Sequence, residues 1–220
     1  WIDKLDAQVP LDAGYVALIN CACITVQNLS LTKNGQGLLL AYTTNVTVSE
    51  NNILNNYSGI WFFSHSSNNR IIRNNIANNK YGILVWDSSN GNSIVGNNIA
   101  NNKNGIRLIL SWYNFIYHNN FVDNNGQVSI EKSPNIWDNG YPSGGNYWND
   151  YVERYPDAIE LNNSGMWDTP YIIHVDNQDN YPLMGAFSDF PVDWANKTYY
   201  LTMICNSTIS NFEFGAVIPV

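Results

Sequence analysis

"NNIANNKYGILVWDSSNGNSIVGNNIANNKNGIRLIL", residues 74–110, contains one phrase twice. Asn74-Asn75-Ile76-Ala77-Asn78-Asn79-Lys80 returns 23 positions later as Asn97-Asn98-Ile99-Ala100-Asn101-Asn102-Lys103. The period reaches further in both directions. Asn51, Asn74, Asn97 and Asn119 form one column, and Asn55, Asn78, Asn101 and Asn124 a second. Gly59, Gly82 and Gly105 keep step, each followed by isoleucine (Ile60, Ile83, Ile106), and Gly37-Leu38 joins with a one-residue slip. Spacings of 22 or 23 are too short for a helical-hairpin repeat and fit the coils of a β-solenoid. Asn-Asn pairs recur in every unit, which disfavours helix, and the β-branched residues between them suit short strands separated by Asn, Gly and Ser turns. Parallel coils stacked about 4.8 Å apart place equivalent residues above one another, so turn asparagines can bond along the stack. The asparagines are scaffold.

The columns also assign the two faces of the longest strand. Leu38, Ile60, Ile83 and Ile106 form one set, and Leu40, Phe62, Val85 and Leu108 another. Between them run Leu39, Trp61, Leu84 and Arg107, and Ala41, Phe63, Trp86 and Ile109. Only the intervening columns carry a charge, Arg107, and an unpaired buried arginine is costly, so the first two sets face the core. Trp61, Phe63, Leu84, Trp86 and Ile109, with Leu39, then form an outward apolar face. A partner protein, a second copy, a glycan or the chain's own C-terminal part is expected to cover it.

The 220 residues carry a formal charge of −8 and a pI near 4.6, with only 13% charged side chains. Asparagine supplies about one residue in six, far above ordinary usage. No basic patch is present to neutralise phosphates, which excludes nucleic acid as a partner and leaves glycans, cations or proteins. The chain starts at Trp1 and stops in "GAVIPV". It therefore reads as a piece of something longer, with membrane attachment expected only through a segment beyond it. Cys21, Cys23 and Cys205 form no metal motif and read as buried thiols. Six sequons, at Asn28, Asn45, Asn56, Asn162, Asn196 and Asn206, add candidate N-glycosylation sites and lean towards an extracellular or cell-surface protein.

The units "VTVSENNILNNYSGIWFFSHSSN", "RIIRNNIANNKYGILVWDSSNGN" and "SIVGNNIANNKNGIRLILSWYNF" resemble the parallel β-helix repeats of NosD-like proteins. The later "GGNYWNDY…SGMWDTPYII…DNQDNYPLM" is similar to the segment closing this repeat in archaeal cell-surface members, and "YYLTMICNSTISNFEF" to the start of a following β-rich module. The likeness spans roughly residues 14–187. It implies an all-β, right-handed, single-stranded parallel β-helix on the outside of a cell. It also implies a carbohydrate-binding or sugar-hydrolase-like label, or copper delivery as in the founding bacterial members.

Copper needs clustered His, Met or Cys. His65, His118 and His174 are far apart in register, and Met166, Met184 and Met203 form no spaced motif. Glycoside hydrolysis needs two carboxylates facing one bond across about 5 to 9.5 Å. Among the coil acids, Glu50 aligns with Arg73, Gly96 and His118, while Asp87 aligns with Ser64 and Leu110; no two acids share a column. Ten of the eighteen acids lie instead between Asp138 and Asp193. There Asp176, Asn177 and Asp179 present hard oxygen donors at a spacing calcium accepts, against the simpler reading of turn residues.

The expected organisation is β-helix coils over residues 1–137, clearest over 28–125, then a turn-rich cap over 138–187 and a β-rich extension over 188–220. Trp137, Tyr141, Tyr147, Trp148, Tyr151 and Tyr155 suit a cap over the solenoid's open end. The expected function is a non-catalytic envelope module for structure, adhesion or assembly, without a cofactor unless a structural calcium. A carbohydrate-binding or polysaccharide-cleaving β-helix is the alternative.

Overall fold

The computed structural model describes residues 3–187. The expected extension over 188–220, with Asn196, Met203, Cys205 and Asn206, lies outside the described residues.

The described chain winds into a parallel β-solenoid with three strands per turn. One sheet stacks Val16–Ile19, Gln36–Ala41, Ser58–Phe63, Tyr81–Trp86, Asn104–Ile109 and Val128–Glu131. A second stacks Leu5–Gln8, Ala22–Gln27, Thr47–Ser49, Arg70–Ile72, Ser93–Val95 and Phe115–Tyr117. The third runs from Ser30–Thr32 through Asn52–Leu54, Asn75–Ala77, Asn98–Ala100 and Asn120–Val122 to Tyr147–Trp148. Every pairing within these sheets is parallel. Among the described residues the one helix, Tyr151–Arg154, and the one antiparallel pair of strands, Tyr171–His174 with Asn177–Asp179, lie after the last coil.

Register follows the repeat. Leu38, Ile60, Ile83 and Ile106 pair in succession, as do Leu40, Phe62, Val85 and Leu108, and all eight are fully buried. Ile71, Ile94 and Ile116 line the second sheet's inner face, and Leu31, Ile53, Ile76, Ile99 and Phe121 the third's. Burying each such side chain contributes about 1.5–3 kcal/mol, which makes this core the main source of stability.

Corners turn on residues with positive φ. Asn28, Glu50, Arg73, Gly96 and His118 share one corner, all between φ 54° and 67°. Asn, Asp and Gly adopt this conformation most easily, and Arg73 and His118 show that the stack holds less suitable residues there too.

Beside each corner runs a buried asparagine ladder. In the first, Asn51, Asn74, Asn97 and Asn119 each donate their backbone N–H to the Oδ1 of the next rung, at 2.9–3.1 Å, ending on Asn146. The second is Asn56, Asn79, Asn102 and Asn124. This corrects the expected second column. Asn55, Asn78 and Asn101 are the positive-φ corner residues themselves, followed by Asp123, and Asn124 lies on Asn102 instead. The cause is a coil one residue shorter: after Ile109 the turn has a single positive-φ residue, Leu110, where the coils above use Ser64-His65 and Asp87-Ser88. A third ladder, Asn69, Asn92, Asn114 and Asn135, was missed in the sequence.

Cys21 is a buried thiol whose Sγ accepts the Lys4 N–H at 3.4 Å, whereas Cys23 is disulfide-bonded, which overturns the reading of all three cysteines as thiols.

Residues 138–187 continue the stack with rings. Trp148 pairs in register with Phe121, stacks on it at 4.2 Å, and is covered in turn by Tyr171 at 4.1 Å. Trp137, Trp148, Tyr151 and Tyr171 are fully buried, while Tyr141 stays exposed.

Candidate functional site

The outer face of the long-strand sheet carries the residues singled out as a contact strip. Their burial is uneven. Trp86 is 39% exposed, Trp61, Phe63, Ile109 and Leu39 are half-buried, and Leu84 is buried between its neighbours. Leu84 pairs with Trp61 on one side and Arg107 on the other, so long side chains above and below close over it. The Trp61 and Trp86 rings stack at 6.2 Å and 14°, and Phe63 meets both edge-on, at 5.3 and 5.8 Å. Two indoles that face each other make a ridge on this face.

Cations and tyrosines pair near the start of the long strands of this sheet. Lys80 Nζ donates to Tyr57 Oη at 3.0 Å and lies 4.3 Å from that ring's centroid. Arg107 donates through Nη1 to Tyr81 Oη at 3.4 Å, with its guanidinium carbon 5.7 Å from the ring centroid. The hydrogen bond to Tyr57 is the main reason the Lys80 ammonium is pushed above its ordinary value. Arg107 therefore faces outward, as its column required. Trp61 Nε1 and Arg107 Nε are both enclosed without a hydrogen-bond acceptor.

Two acids of the coils serve local structure. Asp87 accepts from Ser64 Oγ at 2.7 Å, and Asp123 from Asn149 Nδ2 at 2.7 Å.

The closing turn that suggested calcium has another occupation. Asn177 Oδ1 accepts the Asn135 N–H and the Trp137 indole N–H, each at 2.9 Å, which ends the third ladder. Asp179 Oδ2 accepts the Asn146 N–H at 2.6 Å and the Trp148 indole at 2.9 Å, which ends the first. Its Oδ1 accepts the Tyr181 N–H at 3.1 Å. Both side chains are buried, while Asp176 is exposed. Two of the three side chains expected to ligate calcium, Asn177 and Asp179, are thus ladder ends whose oxygens are filled by N–H donors. Burial pushes the Asp179 carboxyl up to about 7, against the pull of its three donors, with Asp138 adding to the rise.

Among the sequons, Asn28, Asn45 and Asn162 are exposed. Asn56 is a buried rung of the second ladder.

Three corner-turning, Asn-laddered sheets define a β-solenoid of the right-handed parallel β-helix class. Within that class, the model of the family described as periplasmic copper-binding protein (NosD) matches residues 13–153, and the chain belongs to this family. No curated protein matches. Among solved structures, a double mutant of the periplasmic alginate epimerase AlgG is similar, at 20% identity and a TM-score of 0.38, over 60% of this chain and 38% of that one.

The family's description names copper, and the described residues do not fit it. His65 stacks on Tyr42, and His118 lies 4.2 Å from the Phe187 ring with Nε2 2.8 Å from the Ser143 carbonyl. Met166 is buried, its sulfur packed against Gly144. Imidazole and thioether groups must converge to hold copper, and among the described residues no three His, Cys, Asp or Glu side chains do. No helix among them is long and apolar enough to cross a membrane.

Proposed function

We propose that the chain is a rigid, non-catalytic scaffold module of the cell envelope, periplasmic or external, that acts through shape and one contact face. The observation that carries this reading is the aromatic ridge of Trp61, Phe63 and Trp86 on the outer long-strand sheet. Parallel sheets are normally covered on both faces, and a partly exposed Trp–Phe–Trp cluster is the composition of a protein contact. The occupant is a second copy or another envelope protein. Ladders on all three corners supply the stiffness such a role needs, because each rung ties one coil to the next.

Sedimentation velocity of wild type and Trp61→Ser/Trp86→Ser, with chemical cross-linking to envelope extract, tests the reading. Association or cross-links lost in a double variant with wild-type circular dichroism support it. Identical association and cross-links in the two proteins overturn it.

A second reading, an anionic glycan on the same face, is favoured by Lys80 and Arg107 beside Tyr57 and Tyr81. Binding of a polyuronate that is lost in Lys80→Ala/Arg107→Ala while the Trp variant keeps it would select this reading.

A further inference from the structure

Four sequons lie within the described residues, and the fold treats them unequally. Transfer of an oligosaccharide to asparagine requires that its amide be reachable and that the Ser or Thr hydroxyl two positions on be free to engage the transferase. At Asn56 both conditions fail. Its Oδ1 accepts the Asn34 N–H at 2.9 Å, and its Nδ2 donates to the Leu31 carbonyl at 3.0 Å and to Asn79 Oδ1 at 3.2 Å. The hydroxyl partner Ser58 is 1% exposed.

Asn45 and Asn162 meet the first condition alone. Both are exposed with positive φ. Thr47 is buried at 6%, however. Ser164 Oγ donates to the Leu161 carbonyl and accepts the Met166 N–H.

Asn28-Leu29-Ser30 meets both. Asn28 is exposed at φ 56°, and Ser30 is exposed at the start of the outermost strand of its sheet. Leu29, the residue between, is the buried one; its N–H donates to Asn51 Oδ1 at 3.0 Å and anchors the turn. Asn28 also shares its corner with Glu50, Arg73 and His118, so that corner already carries long side chains.

We propose that, among the sequons of the described residues, Asn28 is the N-glycosylation site of the folded protein and that Asn56 is refused. The reaction joins Asn28 Nδ2 to the anomeric carbon of a polyprenyl-phosphate-linked oligosaccharide. The bond from that carbon to the phosphate oxygen breaks, the lipid phosphate leaves with the electron pair, and the amide proton passes to base. The glycan then stands at the corner between strands Ala22–Gln27 and Ser30–Thr32, neither of which belongs to the sheet bearing Trp61 and Trp86. It shields one edge of the solenoid and leaves the aromatic ridge clear.

The test uses the purified chain, native or unfolded in urea and diluted immediately before assay. A single-subunit oligosaccharyltransferase of relaxed sequon preference and a polyprenyl-phosphate-linked oligosaccharide are added, and glycopeptides are read by mass spectrometry. The native chain is expected to gain glycan on the Asn28 peptide and none on the Asn56 peptide, with Asn56 modified only after unfolding. Asn28→Gln is expected to abolish labelling of that peptide, and Ser30→Ala to abolish it with Asn28 intact. Native labelling of Asn56 equal to that of Asn28, or an Asn28 peptide unlabelled in the native chain, overturns the proposal. Neither outcome bears on the contact ridge, which sedimentation tests separately.

Discussion

The Asp179 carboxylate occupies the place of a further rung in the first asparagine ladder, accepting the Asn146 N–H at 2.6 Å. A Cβ on Gly145 would fall 1.8 Å from Asp179 Oδ1, so the glycine is what admits the acid. The closing segment thus completes the hydrogen-bond pattern of the repeat with a residue that does not belong to it.

That placement makes stability depend on pH. The folded carboxyl, at about 7, lies above its ordinary 3.8, so the unfolded chain loses this proton first. Its contribution is complete below pH 3.8 and disappears as pH rises through about 7. The melting temperature is expected to fall between about pH 4 and pH 7, and Asp179→Asn to flatten that slope while keeping the acceptor for Asn146 and Trp148. A slope unchanged in the variant would show that another group titrates. Asp179→Ala, which leaves three donors unanswered, is expected to lose about 3 kcal/mol or more at pH 6 in urea unfolding.

Neighbouring asparagines should respond very differently to substitution. Asn97 accepts from Asn74 N and Nδ2 and donates to the Ile71 carbonyl and Asn119 Oδ1. Asn97→Ala is expected to destabilise by roughly 3–5 kcal/mol, since several buried partners lose their bonds together. Asn101, exposed at φ 54°, only turns the corner, and Asn101→Gly is expected to change stability by less than about 0.5 kcal/mol. Urea midpoints of the two variants give the comparison.

The glycine column is a steric requirement. A Cβ on Gly82 would lie 2.5 Å from the Gly105 carbonyl oxygen of the next coil. Gly82→Ala therefore pushes two coils apart and is expected to cost about 2 kcal/mol or more, although alanine is ordinarily the better strand residue. A melting temperature at or above wild type would refute the contact.

Trp148 joins core to cap. Its ring lies between Phe121 and Tyr171, and its indole donates to Asp179. Trp148→Ala is expected to lose about 3–5 kcal/mol. The loss should begin at the end of the solenoid, because each coil touches only its neighbours. Limited proteolysis should cut the variant within residues 149–187 before the coils, whereas simultaneous cutting throughout would contradict a local cap.

Several features of the candidate site were legible in the chain. The outward columns of Trp61, Phe63, Leu84, Trp86 and Ile109 follow from strand alternation and the single charge at Arg107. Less legible was that Leu84 is covered within that face while Trp86 remains open, because ring orientation decides which neighbour closes over which. The third ladder was visible as Asn69, Asn92, Asn114 and Asn135, but its intervals shorten from 23 to 22 to 21 and hide the period. Asn177 and Tyr171 belong to no repeat, and nothing in their local sequence announces a rung or a stacked ring.

Periodicity by itself determined that the chain coils in parallel and which strand residues point inward, because both follow from alternation within one turn and its recurrence in the next. Whether an asparagine is a buried rung or an open corner was decided only by the tertiary structure. Asn78 and Asn79 differ by one position, yet a positive φ turns the first to solvent while a backbone N–H one coil away claims the second. That donor's position depends on the length of every turn between them. The same dependence separates Asn28 from Asn56, two identical sequon asparagines with opposite access to solvent.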